Sequence, residues 1–162
     1  MNFQFNAPEP LDKTHQLDTF LCGESLLDEW LKRRALANQI SGASRTFVVT
    51  DHNKQVIGYY AMAAGAVAHQ MATNSVRRNM PDPIPVMILA RLAVSTQAQG
   101  LKLGGSLLQD AVKRAWMVSQ NTGVRALLVH ALHDHAKMFY EHYGFQVSPA
   151  HPFTLMLRLN QT

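Results

Sequence analysis

The chain has 162 residues and a mass of 18.1 kDa, a length that fits one domain spanning residues 1–162. Hydrophobic residues make up 47% and charged residues 16% of the sequence, a composition that excludes a disordered chain. The formal net charge is +4. The sequence has no run of about 18 apolar residues, no leader-like N-terminus and a single cysteine, Cys22, so we expect a cytoplasmic protein without a membrane partner.

Charge is unevenly distributed along the chain. Residues 1–31 hold six of the 11 acidic residues and one of the 15 basic residues. The remainder is a cationic body with basic clusters at 32–34, 77–78 and 113–114. Such a body attracts nucleotides, nucleic acid or an acidic protein, although basic side chains on helix faces are often only solvated.

Hydrophobic periodicity and turn residues predict a succession of helices and strands. Ser25, as an N-cap, with Asp28 in the first turn begins a helix that Gly42 ends. The order of elements predicts an α/β (α+β) domain with a mixed sheet. The predicted elements are a helix at 25–39, strands at 46–50, 55–67 and 86–95, a helix at 103–119, a strand at 125–132, a helix at 134–143 and one or two last strands.

A glycine-containing loop connects the predicted central strand to the longest predicted helix. Gly100, Gly104 and Gly105 are small enough for backbone amides to approach an anion, and the helix N-terminus adds partial positive charge. The loop is neither a Walker loop nor a complete G-x-G-x-x-G fingerprint, and a simple strand-to-helix turn is the alternative interpretation.

Two motifs resemble the GCN5-related N-acetyltransferases (GNAT). Residues 99–104, QGLKLG, resemble the family's Q/R-x-x-G-x-G/A loop, with Lys102 where the pattern has its first glycine. Residues 139–145, FYEHYGF, match the F-Y-x-x-x-G-F motif in full. The resemblance implies a GNAT fold, with a mostly antiparallel mixed sheet flanked by helices, and acetyl-CoA as co-substrate. The residues it implies for acetyl-CoA binding are Leu92, Ala93, Val94, Gln99, Gly100, Lys102, Leu103, Gly104, Gly105 and Ser106.

Segments outside these motifs are similar to the acetyltransferase toxins of bacterial type II toxin–antitoxin modules. The likeness includes FLCG at 20–23, LDEWL at 27–31, SRTFV at 44–48 and ARLAV at 90–94. It implies a homodimeric enzyme that acetylates the α-amino group of aminoacyl-tRNA, blocks translation and is neutralised by a ribbon–helix–helix antitoxin.

Tyr140 is the candidate catalytic residue. Its helical spacing from Ala136, Phe139 and Tyr143 alone favours a core tyrosine. The resemblance implies instead that its phenol, with a pKa of roughly 10, protonates the departing CoA thiolate, whose thiol has a pKa of roughly 8.5. Backbone amides at Leu92–Val94 would then hold the thioester oxygen.

The absence of Asp, Glu and His from residues 86–96 bears on the substrate. A lysine amine, with a pKa of roughly 10.4, needs a base, whereas an α-amine titrates near 8 and is partly neutral already. This favours an α-amine, although Asp82 or His133 could act as a base through water.

Three arginines are candidates for binding tRNA phosphates: Arg77, Arg78 and Arg91. For Arg91, a structural arginine paired with an acid is the alternative. Two other functions stay open: a non-toxic acetyltransferase acting on protein N-termini or small-molecule amines, and a non-catalytic module that binds nucleic acid or an antitoxin.

Histidines and the cysteine complete the candidate groups. His130, His133, His135 and His142 have spacings seen in zinc sites, but strand alternation sends His130 and His133 to different faces, so we expect no metal. Cys22 lacks an obvious charged activator and is expected to be a small buried residue rather than a nucleophile.

Overall fold

A computed structural model describes residues 5–159. These residues form seven strands and five α-helices, which confirms the α/β class expected from the sequence. The strands are β1 (Glu9–Pro10), β2 (Arg45–Thr50), β3 (Val56–Val67), β4 (Ile84–Val94), β5 (Ala126–His130), β6 (Gln146–Val147) and β7 (Thr154–Arg158). The helices are α1 (Ser25–Trp30), α2 (Leu36–Ser41), α3 (Asn74–Arg77), α4 (Leu103–Ser119) and α5 (Asp134–His142).

The strands belong to one mixed sheet in the order β1-β2-β3-β4-β5-β7-β6. β4 and β5 pair in parallel, whereas β1–β2, β2–β3, β5–β7 and β6–β7 pair antiparallel. The described residues group into two compact units: the first unit contains residues 5–63 and 91–111, and the second contains residues 64–90 and 112–159.

The first unit has its own apolar core beneath β2 and β3. Phe20, Leu31, Val48 and Tyr59 are among its most buried members. The polypeptide from Ser25 to Ser41 is helical throughout, with a π-helical turn at Leu31–Ala35 between α1 and α2. Gly42 ends it with φ 84°, as the sequence predicts.

The predicted N-cap of this helix is wrong. Glu24 rather than Ser25 is the N-cap, and its carbonyl accepts the amides of Leu27 and Asp28. The Asp28 carboxylate reaches back to the amide of Cys22 at 2.9 Å. Asp28 therefore satisfies a backbone donor ahead of the helix, and the helix begins without a side-chain cap on its own first turn.

The second unit is built on the first part of β4, on β5 and on β7. Leu127 pairs with Met87 on one side and with Leu157 on the other. Its core includes Val76, Ile84, Leu128 and Met156. β4 begins at Ile84, inside the proline stretch, two residues earlier than predicted; Pro85 is tolerated there although proline donates no ladder hydrogen bond.

Several short elements were not predicted from the sequence: β1, α3 and the 3₁₀ turns at His69–Met71 and Thr96–Ala98. Each has four residues or fewer, too short to show a periodicity. None of the helices in the described part of the chain has the length and hydrophobicity needed to cross a bilayer.

Candidate active site

The end of β4 is fixed by backbone hydrogen bonds within the first unit. Ala93 is buried, and Leu92 and Val94 are half-buried. The amide of Ser95 donates to the Ile57 carbonyl at 2.8 Å, and the amide of Thr96 donates to the Leu21 carbonyl at 2.8 Å. The position of the chain leaving β4 is therefore set by β3 and by the segment before α1.

Gln99 ties the loop to the same two regions through its side chain. Its Nε2 donates to the Val94 carbonyl at 3.0 Å and to the Cys22 carbonyl at 2.9 Å. Both amide hydrogens are thus used by the protein's own backbone. The Gln99 side chain therefore holds the loop in its conformation, a role that the motif alone does not indicate.

The loop takes a left-handed backbone conformation at two positions. Gly100 has φ 83° and Lys102 has φ 64°. Lys102 stands where the GNAT pattern has a glycine, and it adopts a backbone angle for which glycine is the usual choice. The departure from the motif therefore leaves the turn intact and adds an exposed ammonium group to it.

The helix α4 begins directly after Lys102. The amide and hydroxyl of Ser106 both donate to the Lys102 carbonyl, at 3.2 and 3.3 Å. The amides of the three preceding residues, Leu103, Gly104 and Gly105, belong to the first helical turn, where no intrahelical acceptor exists. These amides and the helix dipole provide donors and partial positive charge for an anion.

Gly58 on β3 allows α4 to approach the sheet closely. A Cβ at Gly58 would lie 3.0 Å from Cδ2 of Leu103 and 3.1 Å from Cδ1 of Leu107. Both leucines are almost fully buried, with 2% and 0% exposure. The start of α4 is consequently held by tight packing as well as by the turn before it.

Arg91, near the C-terminal end of β4, lies over the face of Trp30. Its Cζ is 4.5 Å from the Trp30 ring centroid, and Trp30 stacks on Tyr59 with centroids 6.1 Å apart and planes 12° apart. The Tyr59 hydroxyl donates to the Leu27 carbonyl at 2.7 Å. Burial raises the pKa of Tyr59, and the positive charge of Arg91 offsets part of that rise. Arg91 is therefore oriented by a cation–π contact.

Tyr140 in the second unit is packed among aromatic rings. Its ring centroid is 5.2 Å from that of Phe139 and 5.5 Å from that of Phe145, and 6% of the residue is exposed. Burial raises the pKa of the Tyr140 phenol. Among residues 5–159 its hydroxyl has no hydrogen-bond partner.

Arg77 and Arg78 lie at the exposed end of α3, also in the second unit. Nη2 of Arg77 donates to Oδ1 of Asn74 at 2.6 Å. The main chain beneath the two arginines is held by Arg125, whose guanidinium donates to the carbonyl of Arg78 at 3.0 Å.

The predicted site residues thus divide between the units. The first unit brings together Leu92–Val94, residues 99–106 and Arg91; the second contains Tyr140, Arg77 and Arg78. Sequence reasoning missed Trp30 and Arg125. The only signals were an aromatic residue in an otherwise acidic helical turn and a charged residue directly before a buried strand.

The remaining candidate groups are the possible metal ligands and Cys22. In the described part of the chain, no group of three or more His, Cys, Asp or Glu side chains is placed to hold a metal ion. Burial, with Asp28 nearby, raises the pKa of the Cys22 thiol to about 11. That thiol is protonated at neutral pH, which does not suit a nucleophile.

Comparison with known proteins gives the family. The model of the acetyltransferase (GNAT) domain matches residues 43–147. A protein of Mycobacterium tuberculosis named tRNA-acetylating toxin is 48% identical over 153 residues, which cover 94% of this chain and 92% of that protein.

Solved structures agree in fold. AtaT complexed with acetyl-methionyl-tRNAfMet aligns with a TM-score of 0.86 at 26% identity, covering 94% of each chain. AtaTR bound with AcCoA aligns with a TM-score of 0.81 at 26% identity, covering 94% of this chain and 93% of that one.

Proposed function

This chain belongs to the GNAT acetyltransferase family, and from that premise we propose that it transfers acetyl from acetyl-CoA to the α-amino group of aminoacyl-tRNA. In this proposal residues 1–162 act as one cytoplasmic enzyme that blocks translation as the toxin of a type II toxin–antitoxin module. The observation that carries it is the 48% identity, across 94% of the chain, to a protein named tRNA-acetylating toxin.

The loop and the start of α4 fit the pyrophosphate of acetyl-CoA. The amides of Leu103, Gly104 and Gly105 point out of a first helical turn, and Lys102 adds an ammonium group beside them. Gly100 belongs to the loop before α4, whose shape Gln99 fixes, and Ser106 lies in the first turn of the helix. The backbone at Leu92, Ala93 and Val94 lies along the thioester and supplies amide donors to its oxygen as negative charge develops.

Acetyl-CoA supplies an activated acetyl group as a thioester. The neutral α-amine of the substrate forms the new C–N bond, the C–S bond breaks, and the amine proton passes to water. Tyr140 donates its phenolic proton to the departing sulfur, which leaves as the thiol, and the resulting phenolate takes up the proton that the amine released to water, so the enzyme is restored. Its raised pKa keeps that proton in place at neutral pH, and its unpartnered hydroxyl supports this role.

The tRNA is held through its phosphates by Arg77, Arg78 and Arg91. Such contacts carry affinity and register but no sequence information. Arg91 is preoriented by Trp30, and Arg77 is preoriented by Asn74. The ribbon–helix–helix antitoxin presents an acidic segment to the arginines that hold the tRNA, and the enzyme acts as a homodimer.

The test measures acetylation of aminoacyl-tRNA, of a peptide with a free N-terminus and of a free amino acid amide by the purified protein. We expect aminoacyl-tRNA to be the best substrate by far. Arg77→Ala/Arg78→Ala should raise KM for the tRNA and reduce the salt slope by about one unit for each phosphate that is no longer neutralised, with kcat preserved. Lys113→Ala/Arg114→Ala, a matched basic pair on α4, serves as the control.

The alternative is a non-toxic acetyltransferase for protein N-termini or small amines. It predicts equal or faster acetylation of the peptide or the amide, indifference of activity to salt, and normal growth of cells that overproduce the wild type. Growth arrest that Tyr140→Phe relieves would exclude it. A chain that binds no acetyl-CoA would instead support the non-catalytic module.

A further inference from the structure

Arg125 directs its guanidinium onto the segment that carries Arg77 and Arg78. Its Nε donates to the Val76 carbonyl at 3.1 Å, and its Nη2 donates to the carbonyls of Ser75 and Arg78 at 3.2 and 3.0 Å. The carbonyl of Arg77, the last residue of α3, accepts the amide of Met80 at 3.1 Å, whereas the carbonyls of Ser75, Val76 and Arg78 accept from Arg125. One planar guanidinium therefore provides the C-terminal cap of α3.

The backbone of Arg125 is itself fixed by hydrogen bonds on both sides. Its amide donates to the Pro85 carbonyl at 2.9 Å, and its carbonyl accepts the amide of Leu159 at 3.1 Å. The next residue, Ala126, opens β5 and pairs with Arg158 on β7. The guanidinium of Arg125 therefore holds α3 in a fixed position next to β5 and β7.

Arg158 reinforces the same contact. Its Nη1 donates to the Ser75 carbonyl at 3.3 Å, so two guanidinium groups share one acceptor oxygen. Burial lowers the pKa of Arg125, and the positive charges of Arg158 and Arg78 lower it further. The positive charges of Arg125, Arg158 and Arg78 therefore repel one another.

We propose that Arg125 is a positioning residue for nucleic acid: it fixes the main chain at 75–78 so that the exposed side chains of Arg77 and Arg78 face RNA phosphates. This inference rests on the proposed tRNA substrate. Three of the five N–H donors of Arg125 serve protein carbonyls, so in this proposal it contributes to RNA affinity through Arg77 and Arg78 and not as a principal phosphate contact. A lysine here would keep the charge but lose the planar fork that spans the three oxygens.

The experiment measures the affinity of the purified protein for deacylated tRNA over a range of salt concentrations. Arg125→Lys should weaken binding about tenfold and reduce the salt slope by one to two units, although the net charge is unchanged. Acetyl-CoA affinity should be that of the wild type. Arg34→Lys, at an exposed position in the first unit, is the matched control and should change neither quantity.

A combined variant separates positioning from direct contact. In the Arg77→Ala/Arg78→Ala background, Arg125→Lys should change tRNA affinity by less than about twofold, because the residues through which it acts are gone. A full tenfold additional loss would overturn the proposal and make Arg125 a phosphate contact. Unchanged tRNA affinity in Arg125→Lys alone would overturn it as well.

Amide hydrogen exchange keeps the inference falsifiable if the variant is less stable. Arg125→Lys should speed exchange at residues 75–80 while the amides of β5 and β7 stay protected. Unchanged exchange at 75–80 would count against the proposal. If the wild-type protein had no affinity for tRNA, the proposed function would be wrong, and this inference would be wrong with it. The wild-type measurement alone detects that case.

Discussion

The first unit carries most of its candidate chemistry on the backbone, with Lys102 and Arg91 as its charged side chains, whereas the second carries it on the ends of side chains. Around Lys102 the groups offered to a ligand are main-chain amides whose directions depend on a left-handed turn and on the contact of Gly58 with Leu103. In the second unit they are a phenol and two guanidinium groups, at Tyr140, Arg77 and Arg78. The first should therefore be sensitive to shape, and the second to deletion of single functional groups.

The largest effect should come from a charge placed among the amides. Gly104→Glu puts a carboxylate in the first turn of α4, where the proposed pyrophosphate lies. A like charge at about 4 Å costs up to about 4 kcal/mol at a partly solvated site, which is roughly a 10³-fold loss of acetyl-CoA affinity. Calorimetry with acetyl-CoA measures it.

Stability separates this effect from unfolding. An acidic residue in the first helical turn interacts favourably with the helix dipole, so Gly104→Glu should stay folded. Gln109→Glu, an exposed position on the same helix, is the charge-matched control and should bind acetyl-CoA normally. Normal acetyl-CoA affinity in folded Gly104→Glu would move the cofactor away from this turn.

Removing one oxygen atom tests the second unit. Tyr140→Phe keeps the ring packed against Phe139 and Phe145 and should lower kcat by about 10²-fold or more, the usual contribution of a general acid. The acetyl-CoA affinity should not change. Tyr143→Phe, three residues further on, is the control. A fully active Tyr140→Phe enzyme would mean that Tyr140 is a core residue only.

A single methyl group tests the shape of the first unit. Gly58→Ala forces Leu103 and Leu107 to move, and overpacking of this kind lowers the free energy of unfolding by about 1–3 kcal/mol. Because Leu103 begins α4, acetyl-CoA should also bind more weakly. Denaturant unfolding and calorimetry give both quantities.

The control for Gly58→Ala is a glycine with open space. A Cβ at Gly123 meets nothing within 4 Å, so Gly123→Ala should leave stability and acetyl-CoA affinity near wild type. If Gly58→Ala behaved in the same way, the packing of α4 on β3 would not be what orients the amides.

The smallest effect is a common alkaline instability of the two units. Burial raises the pKa of Tyr59 in the first unit and of Tyr140 in the second above that of an unfolded tyrosine. Above about pH 10 the unfolded chain loses these protons while the folded chain keeps them. The free energy of unfolding, unaffected by these groups below pH 10, therefore falls as pH rises. The slope is about 1.4 kcal/mol per pH unit for each tyrosine.

Unfolding measured between pH 9 and 11 in the wild type, Tyr59→Phe and Tyr140→Phe tests this. Each variant should reduce the slope by about half. Tyr59→Phe should also be less stable at neutral pH, because it loses the hydrogen bond to the Leu27 carbonyl. If one variant kept the wild-type dependence of stability on pH, the phenol removed in that variant would be as accessible in the folded wild type as in the unfolded chain.

Features that depend on neighbouring residues could be predicted from the sequence. The 17-residue helix α4 begins at Leu103 and ends at Ser119, as its periodicity indicates, and Gly42, the predicted end of the first helix, has positive φ. The loop before α4 was also placed correctly in the chain.

Features that depend on distant residues could not. Glu24 replaces Ser25 as the N-cap, and Asp28 serves the backbone of Cys22, because tertiary contacts outweigh local capping preferences. Arg125 is 47 residues from the carbonyl of Arg78 that it holds, and nothing in its local sequence indicates that partner. The roles of 92–94, 99–106, Tyr140 and the three arginines in binding or catalysis stay predictions.

The stack of Arg91, Trp30 and Tyr59 gives the protein an optical signal of its own. The chain has two tryptophans; Trp116 is 47% exposed on α4, and Trp30 lies beneath a guanidinium group. Indole emission depends on the charge next to the ring, so an anion that draws Arg91 away should change the fluorescence of Trp30. In a Trp116→Phe chain, ligand binding near β4 could then be followed in real time without any attached label.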